Sequence, residues 1–158
     1  GMGGDSFILA SLGCEVQMLE RNAIVFSLLQ DGIARAAGSE DSSLQEIIAR
    51  MALLSGDART YLQCSMADDY VDVIYMDPMF PERKKSAKVK KEMQAFHQIV
   101  GADEDAAELL PLALERAKYR LVIKRSANAG YLADMQPSYS LEGKSTRFDI
   151  FALRKLPA

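Results

Sequence analysis

The sequence predicts an α/β fold with a mostly parallel sheet that ends in an antiparallel hairpin. Short segments in which apolar and polar residues alternate are separated by longer segments whose apolar residues recur every three or four positions. Strands separated by helices favour a parallel sheet with helices on both faces, whereas two strands joined by a short turn pair antiparallel. With 158 residues, 49% of them hydrophobic, the chain has material for one domain.

The N-terminal half is predicted to contain helices, a helical turn and two strands. The helices are expected at 6–12, 23–37 and 43–50, the turn at 58–63, and the strands at 14–19 and 51–55. Gly13 is suited to end the first helix, and Asn22 is suited to cap the second. A loop over 38–42, rich in small and acidic residues, separates the second and third helices, and Gly56 and Asp57 end the second strand.

The C-terminal half is predicted to continue the alternation and to close with the hairpin. Strands are expected at 71–76 and 119–124, hairpin strands at 139–141 and 147–153, and helices from the charged stretch 82–92 through 99 and at 103–118. Pro111 lies within the last helix, so it either kinks that helix or marks its start. Glu142, Gly143 and Lys144 supply the turn of the hairpin.

Composition excludes several classes of protein. No apolar run reaches the ~20 residues that span a bilayer, and the N-terminus lacks the pattern of a signal peptide. Cys14 and Cys64 make neither a disulfide framework nor a metal site, so we expect two interior thiols in a cytoplasmic protein. The net charge of −3 argues against a uniformly basic surface but leaves room for a local basic patch. His97 is expected on a helix surface rather than as a catalytic base.

Residues that could bind a ligand or take part in catalysis follow each predicted parallel strand. Ligands of open parallel sheets bind beyond the carboxyl ends of the strands. The residues at those ends are Glu20 and Arg21, then Gly56, Asp57 and Ala58, then Asp77, Pro78, Met79 and Phe80, and finally Lys124 and Arg125. Gly3, Gly4 and Asp5 precede the first helix, where a strand-to-helix turn is expected. Each group alone is typical of a cap or a turn, but their ordered occurrence at successive strand ends indicates a ligand site.

This layout resembles the Rossmann-like fold of class I S-adenosylmethionine-dependent methyltransferases. The motif D-P-M-F at 77–80 resembles the (Asp/Asn)-Pro-Pro-(Tyr/Phe) signature of enzymes that methylate exocyclic amino groups of bases. Further stretches, G-x-G-G-D-S-F-I-L-A-S-L-G-C, M-L-E-R-N, D-P-M-F-P-E-R-K-K-S-A-K-V-K-K-E-M, V-I-K-R and T-R-F-D-I-F, are similar to the RsmJ (YhiQ) family of bacterial small-subunit rRNA guanine-N2 methyltransferases. The similarity covers nearly the whole chain.

The resemblance implies S-adenosylmethionine as cofactor. The implied cofactor-binding residues are Gly3, Gly4, Asp5, Glu20, Arg21, Asp57, Ala58 and Asp77. Glu20, with Arg21 beside it, would accept hydrogen bonds from the ribose hydroxyls. Gly3 and Gly4 would let the backbone approach the ligand, and Asp5 would reach its amino-acid end. The adenine would lie between Asp57 and Ala58, where other family members commonly carry small hydroxyl residues.

The D-P-M-F loop is the implied catalytic centre. The lone pair of an exocyclic amine is delocalised into the base, so acceptors on its two protons would localise that pair and aim it at the methyl group. The Asp77 carboxylate and the Pro78 carbonyl are the expected acceptors, and Phe80 is the ring on which an unpaired or flipped base would stack. Met79 replaces the usual second proline of the signature, which predicts a less rigid loop.

A basic run directly follows this loop and is the expected RNA-binding surface. It consists of Arg83, Lys84, Lys85, Lys88, Lys90 and Lys91, and Lys124 and Arg125 would extend it at the next strand end. Phosphate contacts dominate nucleic-acid affinity. A solvated helix face would show the same run of charges, but its place beside the base pocket favours RNA.

The combined expectation is a cytoplasmic enzyme that methylates a guanine N2 amine of 16S rRNA in the small ribosomal subunit, with no metal and no membrane partner. The alternatives are an adenine-N6 methyltransferase on DNA or RNA and a non-catalytic RNA-binding module of the same fold. A nicotinamide-dependent oxidoreductase would need neither the D-P-M-F loop nor the basic run.

The N-terminus of the chain lacks the first central strand that this fold places before the glycine-rich turn. Residues 1–158 are therefore expected to be an N-terminally truncated catalytic domain. Either a gap, or a neighbour that fills it, is expected in the sheet between the strand that ends at Glu20 and the strand that ends before Asp77.

Overall fold

The computed structural model describes residues 2–64, 71–78 and 105–157. The chain divides into two compact units, Gly1–Tyr61 and Leu62–Ala158. Phe80, the basic run at 83–91 and His97 lie outside the described residues. Within the described ranges, no helix is both long and apolar enough to cross a membrane. In the same ranges, no three side chains of His, Cys, Asp or Glu cluster as a metal ion would need.

The first unit contains a two-stranded parallel sheet with helices. Its elements are α1 Gly4–Ser11, β1 Val16–Glu20, α2 Ala23–Ala37, α3 Ser42–Ala49 and β2 Met51–Ser55, and α4 Ala58–Cys64 begins at its end. Asn22 and Asp41 cap α2 and α3 by accepting hydrogen bonds from backbone N–H groups of the first turn. The buried apolar residues of this unit are Ala10, Met18, Val25 and Ile48.

The second unit contains a four-stranded mixed sheet in the order β3-β4-β6-β5. Its elements are β3 Val71–Met76, α5 Ala106–Arg116, β4 Ala117–Ser126, a 3₁₀ turn Leu132–Asp134, β5 Tyr139–Glu142 and β6 Thr146–Ala152. β3 and β4 are parallel, and β6 pairs antiparallel with both β4 and β5. Leu110 of α5 packs with Leu121, Ile123 and Phe151 in the core, which the 3₁₀ turn reaches through Leu132.

The structure confirms the predicted α/β class and the closing hairpin. α1 begins at Gly4, so Gly4 and Asp5 belong to the first turn of that helix and do not precede it as predicted. The boundary between α5 and β4 is also shifted. The helix predicted over 103–118 ends at Arg116, and the strand predicted over 119–124 runs from Ala117 to Ser126. The strand is longer because β3 pairs with its first residue and β6 pairs with its last. Pro111 lies inside α5 and does not mark the start of that helix.

Two further expectations concern strand pairing and the cysteines. Among the described residues, β1 and β3 belong to separate sheets, as expected for strands that are not direct neighbours. The expectation of interior thiols is wrong, because both cysteines are exposed. Cys14 lies in the turn between α1 and β1, and Cys64 is the last residue of α4.

Candidate active site

The carboxyl ends of β1 and β2 bring three predicted site residues together. The strands are parallel and in register from Val16 opposite Met51 to Glu20 opposite Ser55, so both end at the same edge. The Gly56 N–H donates to the Glu20 carbonyl at 3.0 Å and ties the two ends to each other. Glu20, Arg21 and Asp57 therefore meet at one edge of the first unit, as the sequence predicts.

A backbone hydrogen bond orients the Glu20 carboxylate. Its Oε1 accepts from the backbone N–H of Asn22 at 2.7 Å, while the side-chain oxygen of Asn22 caps α2. Glu20 is half-buried. A carboxylate held in one direction at a strand end suits the recognition of a diol, because its oxygens can accept from both hydroxyls.

Asp57 serves the local fold with both carboxylate oxygens. Oδ1 accepts from the Thr60 N–H at 3.1 Å and caps α4, and Oδ2 lies 3.5 Å from Nη1 of Arg21. Both partners of this ion pair are well exposed, so it contributes little stability. The cap explains an aspartate at this position, and its predicted place beside an adenine stays a prediction.

The turn before α1 has the backbone that the glycine-rich sequence predicts. Gly3 has φ +73°, a left-handed conformation that favours glycine, and a Cβ there would crowd Leu29 Cδ2 at 3.0 Å. A Cβ on Gly4 would meet nothing within 4 Å. Asp5 follows in the first turn of α1 and is half-buried. The oriented Glu20 carboxylate has the acceptor chemistry that a ribose diol needs. The open surface at Gly4 identifies no ligand, so its place in a cofactor site stays a prediction.

The second unit places Asp77 and Pro78 directly after β3. The parallel register that sets Met76 opposite Ile123 brings the next residues, Asp77 and Lys124, side by side. Lys124 Nζ donates to Asp77 Oδ2 at 3.1 Å. Asp77 is 47% exposed and Lys124 29% exposed, so the carboxylate remains accessible beside its partner. This pair was not predicted, because it depends on the register between two strands.

Arg125 does not fit the predicted RNA-binding patch. It is only 8% exposed, and its guanidinium donates to the Gly130 carbonyl. Burial lowers the pKa of Arg125, and the neighbouring Arg147 adds to this while Asp149 opposes it. Side chains alternate across a strand, so Arg125 turns away from the face of Lys124 into the protein. We therefore remove Arg125 from the residues offered to RNA.

A buried charge cluster beside Arg125 was missed by the sequence analysis. Arg147 pairs with Asp149 through Nε to Oδ1 at 2.7 Å and Nη2 to Oδ2 at 2.9 Å, and Ser140 Oγ donates to Oδ1 at 2.6 Å. Arg147 Nη1 also donates to the Ala127 carbonyl at 3.2 Å. The sequence signal is charge on alternate residues, Arg147 and Asp149, in an otherwise apolar strand. The cluster fastens the hairpin to the loop after β4.

The parallel strand ends, the glycine turn, the acidic residue after β1 and the Asp-Pro after β3 define the class: a Rossmann-like methyltransferase. A family model described as "Putative SAM-dependent methyltransferase" matches residues 1–153. The chain belongs to this family of S-adenosylmethionine-dependent methyltransferases. The predicted fold class and the predicted cofactor are thereby confirmed.

Two similar proteins and a similar solved structure also carry the names of methyltransferases, and both proteins are named for ribosomal RNA. Over 99% of this chain, a protein from Cellvibrio japonicus named ribosomal RNA small subunit methyltransferase J is 56% identical, and over all of it a protein of the same name from Marinobacter nauticus is 49% identical. The chain spans 60% and 56% of their respective lengths. The crystal structure of a SAM-dependent methyltransferase from Neisseria gonorrhoeae aligns with 96% of this chain and 58% of its own, with 37% identity and TM-score 0.75. The resemblance found in the sequence is confirmed.

Proposed function

We propose that residues 1–158 form the catalytic domain of a methyltransferase that modifies the exocyclic N2 amine of a guanosine in 16S rRNA of the small ribosomal subunit. The observation that carries this proposal is Asp77-Pro78 after β3 in a chain about half identical to proteins named for small-subunit rRNA methylation. Such a protein works in the cytoplasm, where ribosomes are assembled.

The Asp77 carboxylate is the proposed catalytic group for the amine. One oxygen is engaged by Lys124, and the other is available to accept a hydrogen bond from an amine N–H. The Pro78 carbonyl is the expected acceptor for the second N–H. Two acceptors in the plane of the amine turn its lone pair toward the methyl donor, so the chain contributes positioning rather than a covalent nucleophile.

The strand ends of the first unit are the proposed cofactor site. S-adenosylmethionine, when bound, supplies an electrophilic methyl group on a sulfonium. Glu20 accepts from the ribose hydroxyls, because its carboxylate is already oriented by the Asn22 N–H. The backbone around Gly4 leaves room for close approach. The roles of Asp5, Arg21, Asp57 and Ala58 remain those that the family resemblance implies.

The test is methyl transfer to ribosomal RNA. Labelled S-adenosylmethionine is incubated with the protein and with 30S subunits or 16S rRNA from a strain that lacks the endogenous activity, and the RNA is digested to nucleosides. We expect label in N2-methylguanosine. Label in N6-methyladenosine would establish the alternative adenine specificity instead. RNA binding without any label, and without cofactor binding by calorimetry, would establish a non-catalytic module.

Asp77→Ala tests the catalytic assignment. Loss of a preorganised hydrogen-bond partner of the reacting group should lower the transfer rate by about 10²- to 10³-fold or more, with cofactor binding largely intact. Asp72→Ala is the matched control, because Asp72 is an exposed carboxylate at the other end of the same strand. Loss of cofactor binding with unchanged residual turnover in Asp77→Ala would contradict the assignment.

A further inference from the structure

We propose, on the basis of the function proposed above, that Lys124 is a positioning residue for Asp77 rather than a contact for RNA phosphates. In this role its ammonium group fixes Oδ2 of Asp77, which leaves Oδ1 as the acceptor for the target amine. The sequence alone suggested a phosphate contact, because Lys124 lies at the end of the strand that follows the basic run in the chain. The structure places its nitrogen on the catalytic carboxylate instead.

The contact between the two side chains is a consequence of strand register. β3 and β4 are hydrogen-bonded in parallel, with Tyr75 opposite Val122 and Met76 opposite Ile123. Asp77 and Lys124 are the next residues on each strand, and cross-strand neighbours on one face lie within side-chain reach. The 3.1 Å separation is that of a charge-assisted hydrogen bond. The same strand therefore presents Lys124 to Asp77 and buries Arg125.

Partial burial makes the pair suited to positioning. Lys124 is 29% exposed, so its stem is largely covered by protein and the ammonium group has less freedom than at a free surface. On the other side of β4, its register partner on β6 is the half-buried Phe148. A lysine whose stem is covered and whose ammonium group is bonded to Asp77 is poorly placed to follow a mobile phosphate. It is well placed to hold one carboxylate oxygen.

The expected effect is on the rate of the reaction rather than on binding. Without Lys124, the Asp77 carboxylate can rotate about its terminal torsion, so neither oxygen is held in the plane of the target amine. A misplaced acceptor costs up to about 100-fold in rate, because the amine is no longer aimed at the methyl group. Binding of RNA and of cofactor should change little, since in this role Lys124 contacts neither ligand and only restricts the orientation of Asp77.

The experiment compares Lys124→Gln, Lys124→Arg and wild type in single-turnover methyl transfer to 30S subunits. We expect Lys124→Gln to lower the rate 10- to 100-fold, with RNA and cofactor dissociation constants within about twofold of wild type. Lys124→Arg should recover part of the rate, since it restores a cation beside Asp77. In an Asp77→Asn background, Lys124→Gln should have little further effect, because residues that act as a unit are not additive.

Three results would overturn the role. One is an unchanged rate in Lys124→Gln. Another is a loss confined to RNA affinity with a smaller salt dependence, which would establish a phosphate contact. The third is a lowered melting temperature with no recovery in Lys124→Arg, which would establish a purely structural part.

Failure of the proposed function itself is visible in the wild type, which would then label no guanine. In that case crystals of wild type and of Lys124→Gln decide the role of Lys124. One Asp77 conformer in wild type and several in the variant would support it, and identical conformers in both would overturn it.

Discussion

The backbone N–H of Asn22 orients the Glu20 carboxylate in the absence of a ligand. Its Oε1 accepts from Asn22, which fixes the direction of the carboxylate at the end of β1. We predict that Glu20→Gln weakens S-adenosylmethionine binding by about 10- to 100-fold, because hydrogen bonds to a charged acceptor contribute roughly 1.5–3 kcal/mol. Isothermal titration calorimetry measures the change.

The matched control for Glu20→Gln is Glu15→Gln, which alters an exposed carboxylate just before the same strand. It should leave the affinity unchanged. Equal affinities of wild type and Glu20→Gln would remove Glu20 from the cofactor site, whatever the outcome for Asp77.

At the scale of residues, the sequence predicted the positions of the functional side chains at strand ends but not their contacts. Glu20, Asp57 and Asp77 lie at strand ends as expected, because a strand end is a local feature of the pattern. The Lys124–Asp77 pair depends on register, and register is set by distant residues. Arg125 was assigned to the surface because the strand was predicted to end at 124. The strand continues to Ser126, and its alternation places Arg125 on the buried face.

At the scale of elements, the hairpin β5-β6 is fastened to the loop after β4 by a buried ion pair. Asp149 is 2% exposed and bonds Arg147 twice, and Arg147 donates onward to the Ala127 carbonyl. We predict that Asp149→Asn lowers the free energy of unfolding by about 3 kcal/mol, because it leaves a buried guanidinium without its counter-charge. Urea denaturation measures the loss.

The control for Asp149→Asn is Asp31→Asn, which breaks the exposed pair between Asp31 and Arg35 on α2. An exposed pair of this kind should change stability by well under 1 kcal/mol. Similar losses in the two variants would show that burial does not set the strength of the Arg147–Asp149 pair.

The stabilisation that Asp149 gives the folded protein depends on pH. Burial acts to raise the pKa of Asp149, but hydrogen bonds from Arg147 and Ser140 and the charges of Arg147 and Arg125 outweigh it, so the pKa lies below its ordinary value. The contribution is therefore complete above the unfolded pKa near 4 and is lost as the pH falls through the folded value. The stability difference between wild type and Asp149→Asn should shrink below about pH 4. A constant difference down to pH 2.5 would contradict it.

Elements were predictable where local pattern and tertiary pairing agree. α2 begins and ends where the sequence places it, because Asn22 caps its first turn and its apolar face is periodic. Ala117 and Lys118 favour helix, yet they belong to β4, because pairing with β3 at Val71 extends the strand. The boundary between α5 and β4 is thus decided by a neighbouring strand rather than by propensity.

At the scale of the whole molecule, the alternation of strands and helices was enough to predict the fold class. The family resemblance predicted that β1 and β3 are not paired with each other, and among the described residues they belong to two separate sheets. The buried cluster of Arg147 and Asp149 was not predicted, because charges in a strand are ordinarily placed on the solvent face. The negative net charge of the chain would repel the proposed partner, RNA, if it were spread evenly over the surface.

A net charge of −3 and an RNA substrate are compatible if the attraction is local. The basic run places six cations within nine residues after the D-P-M-F loop, at positions outside the described residues. Each phosphate contact with single-stranded RNA contributes about −0.7 to the slope of log affinity against log salt. We predict that changing Lys84, Lys85, Lys88 and Lys91 to serine lowers RNA affinity at least tenfold and makes that slope shallower by up to about 3, with cofactor affinity unchanged.

Filter binding of 16S rRNA at salt concentrations from about 50 to about 300 mM measures the slope of log affinity against log salt. The control changes Lys144, Arg154 and Lys155 to serine, because these exposed cations lie in or just after the C-terminal hairpin and are distant in sequence from the basic run. Equal losses in the two variants would mean that RNA responds to overall charge. A loss confined to the basic-run variant would mean that an acidic protein binds RNA through one locally basic segment of its sequence.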